Sequence, residues 1–500
     1  MARLCAGAAL AALSLPSGAL AAATGSPPQF QWRIVALPSS AGASSFAEPG
    51  LTISPDGTAI ADAATANTGA PPTAWLSHDS GSSWSTGFSF DTTGSSTGDA
   101  DAALGSDGYR YALDLAYNPN PPGQPANPTV LVFRSADDGP WQGPASFPPP
   151  HGGDQPDRPW LFVDPLHPSD VDVVNSEGGG NIVVWRSQDH GSTFSGPTPV
   201  TGGANGQAAL ALSSRPLFDP TNDQRVFMLY DTLSTAGLAA TLASAPPVYE
   251  FPMTQVWLAV STDAGSTWSN RLALDTTTLT GSGLTAATVG HLLIASAVDG
   301  QGNLYAAFSL RQAASTPTSV YVMHSTDHGA TWSTPAAIVS PMQSNVMPAL
   351  AVAGGNAYLS WYGSADVDYR DASATWSELF AATSDPLAAQ PSFAVSAIGG
   401  GAAHIGGIDT AGTIGSDLGA NWGLRDFQSI AVDGCGLPHP VWAVDAGPTS
   451  TETAVPSSSS ACLVAALPEF APAPIVVLVA AGGALLYGAR RRARGAQAAV

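Results

Sequence analysis

The sequence predicts an all-β fold in which seven small sheets stand around one axis, a β-propeller, and three observations carry that expectation. A short phrase of Ser, Asp, Gly and an aromatic keeps returning along the chain, an apolar hairpin returns out of step with it, and the composition is poor in helix-forming residues. Charged residues make up 11% of the 500, lysine is absent, and 53 glycines and 42 prolines supply turn formers throughout. Such material builds few amphipathic helices but many short strands between tight turns.

The first phrase is Ser77-His78-Asp79-Ser80-Gly81-Ser82-Ser83-Trp84. It recurs at 187–194 (Asp189, Gly191, Phe194), at 261–268 (Asp263, Gly265, Trp268) and at 325–332 (Asp327, Gly329, Trp332), each time after an apolar run. Two worn copies fill the gaps, one around Asp137 at 135–141 and one around Asp385 at 383–386. The six aspartates recur every roughly 50 to 75 residues, which suits one blade per repeat. An Asp in a tight turn accepts hydrogen bonds from backbone N–H groups just downstream, and the Gly supplies a positive φ. The phrase therefore predicts the turn between two outer strands, with Trp or Phe folded back as an apolar plug. Its role is structural.

The second repeating unit is an apolar strand, a turn and another apolar strand, found at 51–63, 102–116, 159–174, 216–230, 293–308, 348–361 and 429–444. Seven inner hairpins face six outer turns. The mismatch disappears if the strand at 29–37, which has no inner pair before it, shares a blade with 429–444, which has no outer pair after it. A ring locked by both ends of the chain leaves no free edge. Six blades remain the alternative.

At the N-terminus, Met1-Ala2-Arg3, an apolar stretch from 4 to 15 and Ala19-Leu20-Ala21 read as a secretory signal over 1–21. The propeller is expected over 28–446, followed by a disordered Ser/Thr/Pro-rich stalk at 447–467. The segment 468–489 contains an apolar run long enough to cross a bilayer, and the basic tail 490–500 with Arg490, Arg491, Arg492 and Arg494 places that end in the cytoplasm. Leu467-Pro468-Glu469-Phe470 resembles the Pro-Glu-Phe signals of prokaryotic surface proteins, which implies processing by an exosortase- or archaeosortase-type enzyme. In an oxidising compartment Cys435 and Cys462 form the candidate disulfide.

The formal charge of −22 argues against nucleic acid or anionic lipid as a partner of the bulk of the chain. No Cys/His spacing suggests zinc, so no metal and no cofactor are expected beyond adventitious calcium. His78, His190 and His328 fall at variable positions of the repeated phrase and read as exposed turn residues. Gly94-Ser95-Ser96-Thr97-Gly98 matches a nucleophile elbow in letters only, because no strand-to-helix turn surrounds it.

The repeated phrases resemble the Asp-box, or BNR, repeats of sialidase-like β-propellers, and the resemblance covers most of the chain. For an enzyme it implies an arginine cluster for the substrate carboxylate, a Tyr nucleophile backed by a Glu, and an Asp acid/base. Arg33 in Trp32-Arg33-Ile34-Val35 is similar to the first arginine of the family's F-R-I-P motif, and Asp62 closes a stretch similar to the one carrying the acid. Both matches are partial. Glu378, Arg425, Arg370 and Tyr362 sit in no family motif, and the competing reading makes Arg33 a strand-edge residue and Asp62 a polar group near a turn. Asp157-Arg158-Pro159-Trp160-Leu161-Phe162-Val163-Asp164-Pro165 and Glu48-Pro49-Gly50-Leu51 resemble phrases of secreted BNR-repeat proteins whose chemistry their sequences do not reveal. The expectation is an extracellular, membrane-anchored propeller that binds a glycan or another surface component without catalysis. An exo-acting glycosidase of sialidase type is the first alternative, and a structural cell-envelope protein is the second.

Overall fold

The structure, a computed structural model, describes residues 26–38, 46–65, 72–85, 87–89, 96–118, 127–136, 138–147, 156–201, 208–234, 253–279, 288–289, 294–311, 317–369, 371–399, 401–408, 426–445 and 450–456, together with 239 and 424. Seven antiparallel sheets follow one another along the chain. Their inner strands are Phe46–Ile53, Ser96–Leu104, Asp157–Val163, Ala208–Ser213, Ala295–Val298, Ser344–Ala353 and Ser429–Val432 in blades 1 to 7. The inner strand of blade 1 packs against those of both blade 2 and blade 7, which closes the ring.

All seven predicted inner hairpins are present. In blade 4 the inner position starts earlier than expected, at Ala208, and Leu217–Phe218 adds a second short pairing to the same neighbour, Val226–Ser234. Strands near the axis are covered by sheets on both faces. Val226–Ser234 is accordingly buried at eight of nine positions and reads as an apolar run, whereas the outer strand Ser269–Asp275 is buried at one position of seven. Large aromatic side chains fill the wedges between blades, with Trp75, Trp361, Trp376 and Trp442 all nearly or fully buried.

Blade 7 takes strands from both ends of the chain. Trp32–Ala36 pairs antiparallel with Ser450–Pro456, which pairs with Pro438–Val444. The closing partner of the N-terminal strand is therefore Ser450–Pro456, within the stretch expected to be a disordered stalk. A composition of Ser, Thr and Pro hides the fact that Ala454 and Val455 are buried at 0% and 1% exposure. The remaining parts expected at 1–21, 457–467, 468–489 and 490–500 lie outside the described residues, and among the described residues no helix is long and apolar enough to cross a membrane. Cys435, in the turn before Pro438–Val444, is disulfide-bonded, while Cys462 lies outside the described residues.

The repeated turns join the third and fourth strands of blades 1, 3, 4 and 5. In each, the first Ser hydroxyl donates to the Asp and accepts the Gly N–H, as at Ser261, where the distances are 2.8 Å to Asp263 and 2.7 Å from Gly265. The Asp carboxylate then accepts both the backbone N–H and the hydroxyl of the residue four positions on: Ser83 for Asp79, Thr193 for Asp189, Thr267 for Asp263 and Thr331 for Asp327. Gly81, Gly191, Gly265 and Gly329 all have φ between 69° and 86°, and Trp268 folds back to donate its indole N–H to Gly265 O at 3.0 Å. The worn copy in blade 6 keeps the bond from Asp385 N–H to Thr383 Oγ1, at 3.3 Å, and the turn bond from Ala388 N–H to Asp385 O, at 3.2 Å. Asp137 lies outside the described residues. All three histidines reach a carboxylate of a neighbouring blade: His78 reaches Asp138 of blade 2 at 3.5 Å, His190 reaches Asp107 of blade 2 at 2.8 Å and His328 reaches Asp219 of blade 4 at 3.4 Å.

Ser261 is fully buried, so Ser261→Ala strands the Gly265 N–H without a partner. It should lower unfolding free energy by about 1–3 kcal/mol, read from a urea titration.

Candidate functional site

The site is built where inner strands begin. Five of them carry a bulge at that end, between Ala47 and Gly50, Thr97 and Ala100, Asp157 and Trp160, Ala208 and Leu210, and Val346 and Ala349. In three of these the bulged residue has φ near +55° and is followed by proline: Glu48-Pro49, Arg158-Pro159 and Met347-Pro348. Proline has no N–H to give the ladder, and the left-handed residue before it re-aims its side chain out of the usual alternation. Both features sit where the strand starts, at the end of the ring opposite the repeated Asp turns.

Arg158 is the centre of the resulting cluster. Its guanidinium lies 2.6 Å from Glu48 of blade 1, 3.5 Å from Asp99 of blade 2 and in contact with Asp426 of blade 7, while its own backbone N–H donates to Asp99 at 2.9 Å. Arg158, Glu48, Asp99 and Asp426 are all buried, and the guanidinium carbon sits 5.8 Å from the centre of the Phe427 ring. Burial alone would push this guanidinium down, but Asp99 and Glu48 hold it above its ordinary value. One cation thus ties four blades together.

Beside this knot a cavity of about 170 Å³ opens at the axis. Its walls include Trp160, Arg215, Ser214, Ser296, Phe427 and Gln428, contributed by four different blades. Trp160 donates its indole N–H to Ser213 O at 2.9 Å and packs 5.0 Å from Phe427, so its orientation is fixed. Arg215 stands 5.5 Å over the Trp160 ring, is 30% exposed at its side chain, and pairs with Asp101. Asp101 also accepts the Leu161 N–H at 2.7 Å, and burial pushes it up to about 6 in spite of Arg215.

Asp62 stands directly behind this wall: a Cβ at Gly50 would run into its carboxyl, so glycine is required there. Asp62 is fully buried, neither of its oxygens is hydrogen-bonded, and burial followed by the charge of Asp101 raises it well above the carboxylate range. Asp114 and Asp231, on the second strands of blades 2 and 4, share that condition for the same leading reason, burial.

Of the residues proposed from sequence, Asp62 therefore lies next to the axial cavity. Arg33 does not: it stands on the outermost strand of blade 7 and donates to Ser82 O, in the turn of blade 1, at 3.2 Å. Arg33 thus lies on an edge strand, away from the axial cavity. Tyr362 is fully buried with its hydroxyl held by Ala443 N–H at 2.9 Å, and Glu378 lies beside it away from the axial cavity. Arg425 and Arg370 lie outside the described residues. Sequence reading quoted Glu48, Arg158 and Trp160 in phrases but gave them no role, and it missed Asp99, Asp101 and Arg215. The recurring charged residue before proline at the head of an inner strand is the signal that could have found the first two. Among the described residues no three His, Cys, Asp or Glu gather into a metal-holding group.

No family model matches this chain, and no curated protein matches it. Among solved structures it is similar to an α-L-arabinanase of Penicillium chrysogenum, at 14% identity over 72% of this chain and 93% of that one, with a TM-score of 0.43. It is also similar to the GH93 α-L-arabinofuranosidase of Fusarium graminearum, at 15% identity over 71% of this chain and 92% of that one, with a TM-score of 0.42. A sialidase of Trypanosoma rangeli is similar at 11% identity over 86% of this chain and 58% of that one, with a TM-score of 0.39.

Two predictions follow from this electrostatic arrangement. Arg158→Ala leaves three buried carboxyls around an empty centre and should cost about 3–5 kcal/mol of stability in chemical denaturation. An unfolded aspartate titrates near 4, whereas Asp231 folded titrates well above it. Its favourable contribution is thus complete below that ordinary value and is lost as pH rises through the folded one. Asp231→Asn should then raise the melting temperature at pH 7 to 8 and give no gain at pH 3.

Proposed function

We propose that this chain is an extracellular β-propeller that holds a glycan, or another cell-surface component, in the cavity at its axis and does not cleave it. The observation that carries this reading is the division of labour around the cavity. Its walls present an oriented indole, a guanidinium and hydroxyl and amide groups, a set that stacks on and hydrogen-bonds a polyol. Of the carboxyl groups near the cavity, Asp101 is committed to Arg215 and Glu48, Asp99 and Asp426 to Arg158, while Asp62 stands behind Gly50. The geometry of the repeated turns supports reading them as Asp-boxes. The apolar segment 471–489 is proposed as the anchor, with the propeller outside the cell and the 490–500 tail inside.

A second reading, hydrolysis, draws on one specific pair. Asp62 and Asp101 are both held above the ordinary carboxylate range, by burial first, and the gap between two such groups is what acid and base roles require. Only Asp101 has an arginine on it.

Binding of the purified full-length chain to a printed glycan array, followed by calorimetry on the strongest ligand, tests the first reading. Trp160→Ala should weaken that binding by about tenfold or more, the loss expected when a stacking ring is removed. Release of 4-methylumbelliferone from its sialoside or arabinofuranoside, abolished in Asp101→Asn, would instead establish the hydrolase.

A further inference from the structure

Away from the axis, between blades 6 and 7, a second cavity of about 190 Å³ is lined by Ile34, Glu378, Ala403, Trp442, Val444 and Glu452. Strands from three distant parts of the chain build it. Trp442 and Glu452 face each other across neighbouring strands of blade 7, Glu452 is opposite Ala36 on the N-terminal strand, and Glu378 comes from the third strand of blade 6.

Glu378 is the unusual member. It is 3% exposed, it lines the cavity, and neither carboxyl oxygen is hydrogen-bonded; Ser360 and Gln428 lie beside it without good hydrogen-bond geometry. Glu452, half-buried, supplies a second carboxyl to the same space, and no described residue lining that space is basic. A buried carboxyl without a well-formed hydrogen bond is costly, and Ser360 and Gln428 are the donors the chain places near it. Burial raises both groups above their ordinary values, as it must where no cation answers them.

The chemistry of the walls selects the ligand. Two carboxyls fall far short of the six to eight oxygens that calcium takes, and the other side chains on the walls are those of Trp442, Ile34 and Val444 with the small residues Gly399, Gly401, Ala402 and Ala403. A neutral polyol would leave the acids without a counter-charge. An ammonium group donates three hydrogen bonds, answers the negative charge and can lie against an indole, while a short alkyl body fills the apolar part.

We propose that the cavity between blades 6 and 7 is a binding site for a small primary ammonium ion on a short apolar chain, with Glu378 as its principal acceptor, Glu452 as the second and Trp442 as the wall. Its lining shares no residue with that of the axial cavity, and Gln428 of the axial wall lies beside Glu378.

Calorimetry on the purified full-length protein with n-butylammonium chloride, and with n-butanol as the uncharged match, tests it. Butylammonium should bind saturably and butanol about tenfold or more weaker, and Glu378→Gln should weaken butylammonium by a similar factor, the loss expected for a charge-assisted hydrogen bond. Glu378→Gln removes a buried acid without changing shape, so its folding should be unimpaired. Should that variant fail to fold, Ile34→Trp at the mouth of the cavity must block the ion instead. Trp160→Ala, at the axis, should leave the affinity unchanged. Equal affinity for the two probes, unaltered binding in Glu378→Gln or Ile34→Trp, or loss of binding in Trp160→Ala would overturn the proposal.

Discussion

The pairing of Trp32–Ala36 with Ser450–Pro456 is the constraint on which everything else rests. A ring of sheets is stable only if its last blade is completed, and here the two strands that complete it are separated by the rest of the propeller. Closing so long a loop costs entropy that grows only slowly with length, so the contacts made at the seam can repay it. Those contacts reach in three directions. Trp32 meets Phe380 of blade 6 at 4.8 Å, Leu37 N–H donates to Thr451 O at 3.0 Å within blade 7, and Trp75 of blade 1 donates its indole N–H to Pro38 O at 2.8 Å. The N-terminal strand is thus a clasp across three blades.

Arg158 performs the corresponding task at the axis. Where the rim is tied by backbone ladders and aromatic rings, the centre is tied by one guanidinium among carboxylates from blades 1, 2 and 7. The two ends of the ring also treat aspartate in opposite ways. In the outward turns, Asp189 and Asp327 are brought down to about 2, with hydrogen bonds from Thr193 and Thr331 prevailing over what desolvation does to the charge. Near the inner bulges, Asp62 and Asp114 are pushed up by burial. One residue type serves as a charged turn lock at one end and as a desolvated acid at the other.

Much of the architecture was legible because it repeats. Four near-identical turns and seven apolar hairpins report a periodic structure, and the count of seven against six pointed to a shared closing blade. Ser450–Pro456 was not legible, because it buries Thr451 and Thr453 beside Ala454 and Val455 and so lacks the apolar run that marks other buried strands. The site was harder still. Glu48, Asp99, Arg158 and Asp426 are scattered over most of the chain, and only the ring brings them within reach of one another. Arg33 sits in a partial match to a family motif, and the strand that carries it is the outermost of blade 7.

Native-state hydrogen exchange, resolved by peptide, tests the closing seam directly. The account predicts that amides in 32–36 and 450–456 exchange only through the same global opening that exposes the buried strand Val226–Ser234. Exchange of those two segments through a smaller opening, while the inner strands stay protected, would show a ring that holds without its clasp and would contradict the account.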